Sequence, residues 1–239
     1  MTNIRIQEEW SRTRLKNIAE INARSLSATT ADDYTLRYLE ISNVNNRGII
    51  SEAAVEELSY IDAPSRAKRI VQSGDTVISS VRPNLQAVAH IDQASDNFIA
   101  STGFYVVSPN QNSLNAKYTY YLLLSEDTKQ YLEAVAKGVG YPAVDDKDFV
   151  TIKFLLPSID EQRGIAAYLD KTCAAIDVAI ENKQKQLKTL DAFGKSIIHE
   201  AVTRGLNDSV ELKESGIKWA PLKPAYWKTC RVKDILDFF

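Results

Sequence analysis

Apolar residues recur at three- and four-residue steps through Ile165, Leu169, Ile176, Ile180, Leu187, Leu190, Phe193, Ile197 and Ala201. That spacing lines one face of an α-helix. Its start and stop are written beside it. Ser158 precedes the run with Glu161 three residues later and Pro157 just outside, while Arg204 and Gly205 supply a basic last turn and a left-handed stop. A helix from Ser158 to Gly205 would be roughly 70 Å long at about 1.5 Å per residue. One small domain cannot cover such a stripe, so the pattern predicts a partner for it. Asp170-Lys171-Thr172 offers fresh capping chemistry, which would let the run divide into a short and a longer helix. Lys183, Gln184, Lys185, Gln186 and Lys188 fall on solvated flanks, Lys183 close to a core position. The expected assembly is therefore a paired-helix seam rather than a long regular coiled coil.

Before residue 157 the periodicity is different. Trp10 to Ser25 reads as a short strand or helix leading into a loop. Tyr34 to Val44 alternates as a strand, and Asn43 to Gly48 makes a polar turn before Ile49-Ile50. Gly74-Asp75 turns into a strand over Thr76–Val81, broken at Arg82-Pro83-Asn84 and resumed from Ala87 to Ile91. Gly103 to Val107 is β-prone by its aromatic and β-branched content. Asn115 to Ala136 switches to helical spacing and is closed by Gly138 and Gly140, and Ile152 to Leu156 reads as a last buried strand. Strands and helices without strict alternation predict an α+β domain over residues 1–157.

Composition narrows this picture only a little. The chain has 239 residues, 44% hydrophobic and 25% charged, room for one large domain or a domain with an extension. No apolar run approaches the ~20 residues that span a bilayer. Met1-Thr2-Asn3-Ile4-Arg5 has no signal-peptide core, so a cytoplasmic location without membrane contact is expected. Cys173 and Cys230 lie far apart without metal-ligand spacing, and reduced thiols are expected. The net charge of −2 makes no global case for nucleic acid, so any such binding must use a local basic surface.

An internal echo comes last. Trp10, Arg14, Leu15, Lys16, Asn17 and Ile18 align with Trp227, Arg231, Val232, Lys233, Asp234 and Ile235 at a constant offset of 217 residues. The second copy of the pattern opens after the long helix closes and ends at Phe238-Phe239.

Three stretches then carry a resemblance. Leu156-Pro157-Ser158-Ile159-Asp160-Glu161-Gln162, with Ile165-Ala166, Leu169-Asp170 and Ile176-Asp177, resembles the Pro-x-x-x-Glu-Gln-x-x-Ile-Ala signature of the specificity subunits of type I restriction–modification systems. Ser158 stands where that family commonly has a second Pro. Gly74-Asp75-Thr76-Val77-Ile78-Ser79 is similar to a segment of the family's target-recognition domains. Ser215-Gly216-Ile217-Lys218-Trp219 through Pro224 and Trp227 resembles the opening of its second recognition domain, with Ala220-Pro221 in place of the usual Gly-containing turn.

The resemblance implies three parts: a target-recognition domain over residues 1–157, a helical spacer and dimerisation region over 158–207, and an incomplete second repeat over 208–239. It implies a non-catalytic, sequence-specific subunit that directs methyltransferase and endonuclease subunits to a bipartite target on double-stranded DNA. S-adenosylmethionine, ATP and Mg would belong to those partner subunits, with no cofactor on this chain. Two spacer helices of this kind pack antiparallel in the family. In a half-length chain the second helix must come from another copy, through a seam of Ile176, Ile180, Leu187, Leu190, Phe193 and Ile197. A homodimer of that kind would read a palindrome in two parts.

The candidate DNA contacts follow residue chemistry. Arg82 and Asn84 flank a Pro where a strand breaks, next to Ser80; Arg can read guanine and Asn adenine through paired hydrogen bonds. Asn45, Asn46 and Arg47 form a second polar loop. Lys137 and Tyr141 bound a third, where Gly138 and Gly140 allow close approach of the backbone. Arg66, Lys68 and Arg69 suit phosphates, which position without specifying. Catalytic and metal residues are not expected. Asp145, Asp146 and Asp148 read as a solvated loop rather than a nuclease site, and Gly138-Val139-Gly140 lacks the remainder of a phosphate loop. His90 and His199 have no nucleophile beside them and read as structural. The alternative from another class is a helical scaffold whose globular domain binds protein.

Overall fold

The computed structural model describes residues 10–234, in two units that divide between Asp170 and Lys171. The opening pentapeptide, Ile235 and Phe238-Phe239 lie outside the described residues. The first unit runs through β1 (Ser11–Arg14), β2 (Ala19–Ile21), β3 (Thr35–Leu39), β4 (Glu56–Ser59) and β5 (Ala67–Ile70). It continues with β6 (Thr76–Ser79), β7 (Val88–His90), β8 (Phe98–Ser101) and β9 (Phe104–Pro109). Helices α1 (Ala116–Leu124), α2 (Glu126–Val135) and α3 (Asp146–Val150) follow, then β10 (Lys153–Leu156) and the start of α4 (Ile159–Arg204).

Two four-stranded sheets carry the unit. One is antiparallel in the order β2-β9-β6-β7; the other, β4-β3-β8-β5, has a parallel pair between β3 and β8. Successive side chains of a strand face opposite ways, and here both faces are covered. Val77 of β6 and Phe104 and Val106 of β9 enter one apolar cluster with Leu39, Phe98 and Ala100 of the other sheet. Their neighbours Ile78, Tyr105 and Val107 enter a second cluster with Tyr118, Leu123, Leu132 and Phe149 from the helices. Burial on both faces is why Gly103 to Val107 reads as a continuous apolar run rather than an alternating one. The second sheet has its own outer cluster of Leu36, Tyr38, Ala67 and Ile99. The architecture is α+β, in three layers.

Several elements depart from the expected pattern. The strand after Tyr34 stops at Leu39, because Glu40 and Asn43 form a reciprocal capping box around a short 3-10 turn. The helical stretch after Asn115 breaks at Ser125, whose hydroxyl accepts from the Thr128 N–H and caps α2. The acidic run at 145–148 is not a loop: Asp145 is the N-cap position of α3 and the others form its first turn. Basic Ala67–Ile70 is a strand, with Ala67 buried and the Lys68 ammonium donating to the Tyr60 hydroxyl at 2.8 Å. β10 is only half buried, since Lys153 and Leu155 face outward while it pairs with β1.

His90 is half-buried in β7, with Nδ1 lacking a partner among the described residues. Burial, then the nearby Lys117 ammonium, hold its pKa below the ordinary histidine value. Burial also raises the Tyr105 hydroxyl well above its usual range; it donates to the Val144 carbonyl at 2.8 Å while its ring stacks on Phe149 at 4.1 Å.

The Glu-Gln pair at the start of α4 has a physical job. Gln162 is fully buried: its Oε1 accepts from the Asn115 N–H at 2.9 Å, and its Nε2 donates to the carbonyls of Ser113 and Pro157, both at 3.0 Å. One amide thus ties the first turn of α4 to the start of α1. Ser158 caps it, accepting from the Glu161 N–H at 3.3 Å. Gln162→Ala would remove the partner of one buried and two partly buried backbone groups and is expected to cost about 2–4 kcal/mol, read as a lower urea midpoint at unchanged slope.

α4 has no joint. It continues through Asp170-Lys171-Thr172 as one helix of 46 residues. Asp170 does not turn back to cap a new start; its carboxylate accepts from the Tyr121 hydroxyl at 2.7 Å. A helix already running gains one hydrogen bond per residue added, so interior capping chemistry does not stop it.

The second unit holds the remainder of α4 and the hairpin β11 (Leu212–Ile217) and β12 (Ala220–Pro224). Gly205 ends the helix at φ +83°, which a residue with a side chain adopts only under strain, and it lies against Pro224 and Trp227. Beyond the hairpin, Val232–Asp234 forms a short 3-10 turn. Leu15–Asn17 does the same in the first unit, at the 217-residue offset of the sequence echo.

Candidate nucleic-acid interface

The break between β6 and β7 is built rather than slack. Ser80 donates its N–H and its hydroxyl to the Gly103 carbonyl, at 2.8 and 2.9 Å, and its own carbonyl accepts from the Val144 N–H. Val81 bridges Ala143, which also bridges Lys137, so the strand break meets the distant 137–143 loop here. Arg82 then takes the left-handed conformation at φ +47°, uncommon for a residue with a side chain, while its N–H donates to the Pro142 carbonyl at 2.7 Å. Pro83, the next residue, is buried, and Gln86 is left-handed as well. Backbone of this kind is strained by on the order of 1 kcal/mol or more and persists where its surroundings impose it.

The strain presents a side chain. The Arg82 guanidinium lies over the Tyr141 ring, 4.4 Å from its centroid, and has no ion-pair partner among the described residues. Both residues line a cleft of about 300 Å³ with Glu40, Ser42, Arg66 and Ser101. Ile41, Val81 and Leu85 supply its apolar wall. Glu40 is held in place: it accepts from the Tyr38 hydroxyl at 3.2 Å and from the Asn43 N–H, and Arg66 approaches to 3.6 Å.

The candidates therefore separate. Arg66, Arg82 and Tyr141 converge on one cleft, and Asn84 is exposed on the short turn that follows Arg82. Ser80 spends its hydroxyl on the Gly103 carbonyl and positions the loop. Lys137 lies beside the cleft's rim strand, but Asp145, at 2.5 Å, and Asp148 engage its ammonium and raise its pKa. Lys68 lies over Tyr60, and the Nε of Arg69 is buried. The loop of Asn45, Asn46 and Arg47 is elsewhere, next to a separate cavity lined by Gly48, His90 and Asp92. Asn45 turns its amide oxygen on its own loop, accepting from the N–H groups of Arg47 and Ile49. Gly48, at φ +72°, leaves no room for a Cβ against Tyr120 and the Val88 carbonyl, and the Tyr120 hydroxyl donates to the Arg47 carbonyl. Sequence reasoning missed Glu40, Ser42 and Ser101 among the polar cleft residues, and only Glu40 had a readable signal. Its signal was the Glu40–Asn43 spacing of a capping box at a strand end.

On α4, Ile176, Ile180, Leu187, Leu190, Phe193 and Ile197 are all exposed. They have the helical spacing of a seam. Lys183 donates to Gln186 on the same stretch. Both cysteines are exposed and free, and no helix among the described residues is long and apolar enough to cross a membrane.

Known proteins place this architecture. The chain is 24% identical over 167 residues to the type I restriction enzyme HindI specificity subunit of Haemophilus influenzae, covering 66% of this chain and 36% of that one. It is 24% identical over 201 residues to the MjaIX specificity subunit of Methanocaldococcus jannaschii, covering 78% and 42%. It thus spans about a third to a half of the curated relatives it matches. The fold of the HsdS subunit from Thermoanaerobacter tengcongensis matches with a TM-score of 0.66 at 24% identity, over 89% of this chain and 52% of that one. A chain from a structure of complex assembly and conformational transition in the type I R-M system matches with a TM-score of 0.72 at 25% identity, over 87% and 54%. Residues 7–189 match the model of the type I restriction modification DNA specificity domain, and the chain belongs to that family.

Proposed function

We propose that this chain is the DNA-reading specificity subunit of a type I restriction–modification complex, working in the cytoplasm as a homodimer on a two-part palindrome. Residues 1–157 bind the duplex, 158–207 pair two copies, and 208–239 correspond to the opening of a second repeat. The chain performs no chemistry itself. It docks a methyltransferase subunit and, through the complex, a restriction subunit; S-adenosylmethionine, ATP and Mg act on those partners. What carries the reading is the cleft of Arg66, Arg82 and Tyr141, a local cationic and aromatic surface on a chain of net charge −2. Affinity for DNA then depends on that surface rather than on the overall charge.

The test is a gel shift of the chain with its methyltransferase subunit on a library of duplexes. One bipartite sequence should be preferred, and log affinity should fall linearly with log salt as phosphates release counterions. Equal binding to all duplexes would reject sequence reading, and no DNA binding at all would favour the protein-binding scaffold.

A further inference from the structure

Resting on that reading, we infer that the cleft between Arg82 and Glu40 reads one G·C base pair, Arg82 taking the guanine edge and Glu40 the amino group of the paired cytosine. In the major groove, guanine offers two acceptors, O6 and N7, and cytosine one donor, its N4 amino group. The pair therefore asks for a forked donor beside an oriented acceptor. The cleft has both.

The donor is Arg82. Its guanidinium carbon lies over the Tyr141 ring, 4.4 Å from the centroid, a contact that stiffens the side chain before any ligand arrives. Arg24, Arg37, Arg66, Lys117 and Lys137 each have a carboxylate within 4 Å, and Arg82 does not. The acceptor is Glu40. The Tyr38 hydroxyl, the Asn43 N–H and Arg66 approach its carboxylate. A carboxylate has about four acceptor positions, so one remains for an incoming amino group.

Glu40 also decides against the plainer reading. A cleft that bound only phosphate would gain nothing from a carboxylate in its wall, because like charges repel. A base edge, with donors and acceptors side by side, does gain from it.

The experiment selects binding sites from randomised duplexes with the chain and its methyltransferase subunit, comparing wild type with Arg82→Ala, Arg82→Lys and Glu40→Gln. Arg82 is exposed, so its variants should melt with wild type. Arg82→Ala should lower discrimination at one G·C position by about 5- to 150-fold and leave the others unchanged. Arg82→Lys keeps the charge but not the fork, and should lose that discrimination with overall affinity largely retained. Glu40→Gln should weaken selection at the same base pair. An unchanged consensus in Arg82→Ala overturns the inference. So does an equal loss of affinity on every duplex, the mark of a phosphate contact; both leave the proposed function standing. A wild-type chain that selects no consensus removes the proposed function and this inference with it.

Discussion

Leu187→Glu combined with Leu190→Glu is expected to leave each chain folded and to separate the proposed dimer into monomers. The two leucines are 66% and 64% exposed, so in a single chain the changes exchange exposed apolar for exposed charged side chains. Such substitutions usually move stability by no more than about 0.5 kcal/mol. Leu and Glu also have similar helix propensity. In a two-fold seam the outcome reverses. Each charge enters the interface twice, and burying an unpaired carboxylate costs several kcal/mol. A loss of even about 4 kcal/mol weakens association about a thousandfold. Light scattering at micromolar concentration should show a wild-type dimer and a variant monomer with the same helical circular dichroism. DNA binding should lose its preference for the two-part site and retain half-site binding. A wild-type chain that stays monomeric at tens of micromolar would remove the seam.

Helix α4 was legible in the sequence because its signals are local: a cap at Ser158, a stop at Gly205 and an unbroken stripe between them. The joint expected at Asp170 is absent because capping chemistry acts only where the backbone has already left the helix, and Asp170 bonds Tyr121 instead. The break at Arg82 was legible too, since Pro83 interrupts a strand pattern. What the pattern could not show was convergence. Arg82 and Tyr141 share a cleft because Val81 bridges Ala143, far away in the chain, and Arg66 joins them where its carbonyl accepts from the Thr102 N–H. Nor could it show which polar groups are already spent. Asn45 looks like a base reader but closes its own turn, as asparagine often does. Glu40 looks unsuited to DNA until Tyr38, Asn43 and Arg66 are seen to fix it in the cleft.

Asp75→Ala should destabilise the first unit strongly, and it touches none of the proposed DNA contacts. The carboxylate is 5% exposed and satisfies three donors: Arg24 Nη2 at 2.5 Å, the Ser108 hydroxyl at 2.7 Å and the Gln72 N–H at 2.8 Å. It thereby joins the turn that starts β6 to β9, the two central strands of the antiparallel sheet, and to the segment after the edge strand β2. Removing one partner of a fully buried pair costs about 3–5 kcal/mol, and because Arg24 is 28% exposed the loss here should fall toward the lower end of that range. Arg24 has the less room to escape since its Nε is already buried without a partner among the described residues. A domain stable by about 5–15 kcal/mol would lose a large part of that margin. Asp75→Asn keeps the shape and one acceptor, and should cost less, about 1.5–3 kcal/mol. Urea denaturation of both, with Arg24→Met and the double variant closing a cycle, separates pair energy from packing. If Asp75→Ala matched wild type within 1 kcal/mol, the Gly74-Asp75 segment would have to be explained by something other than this network.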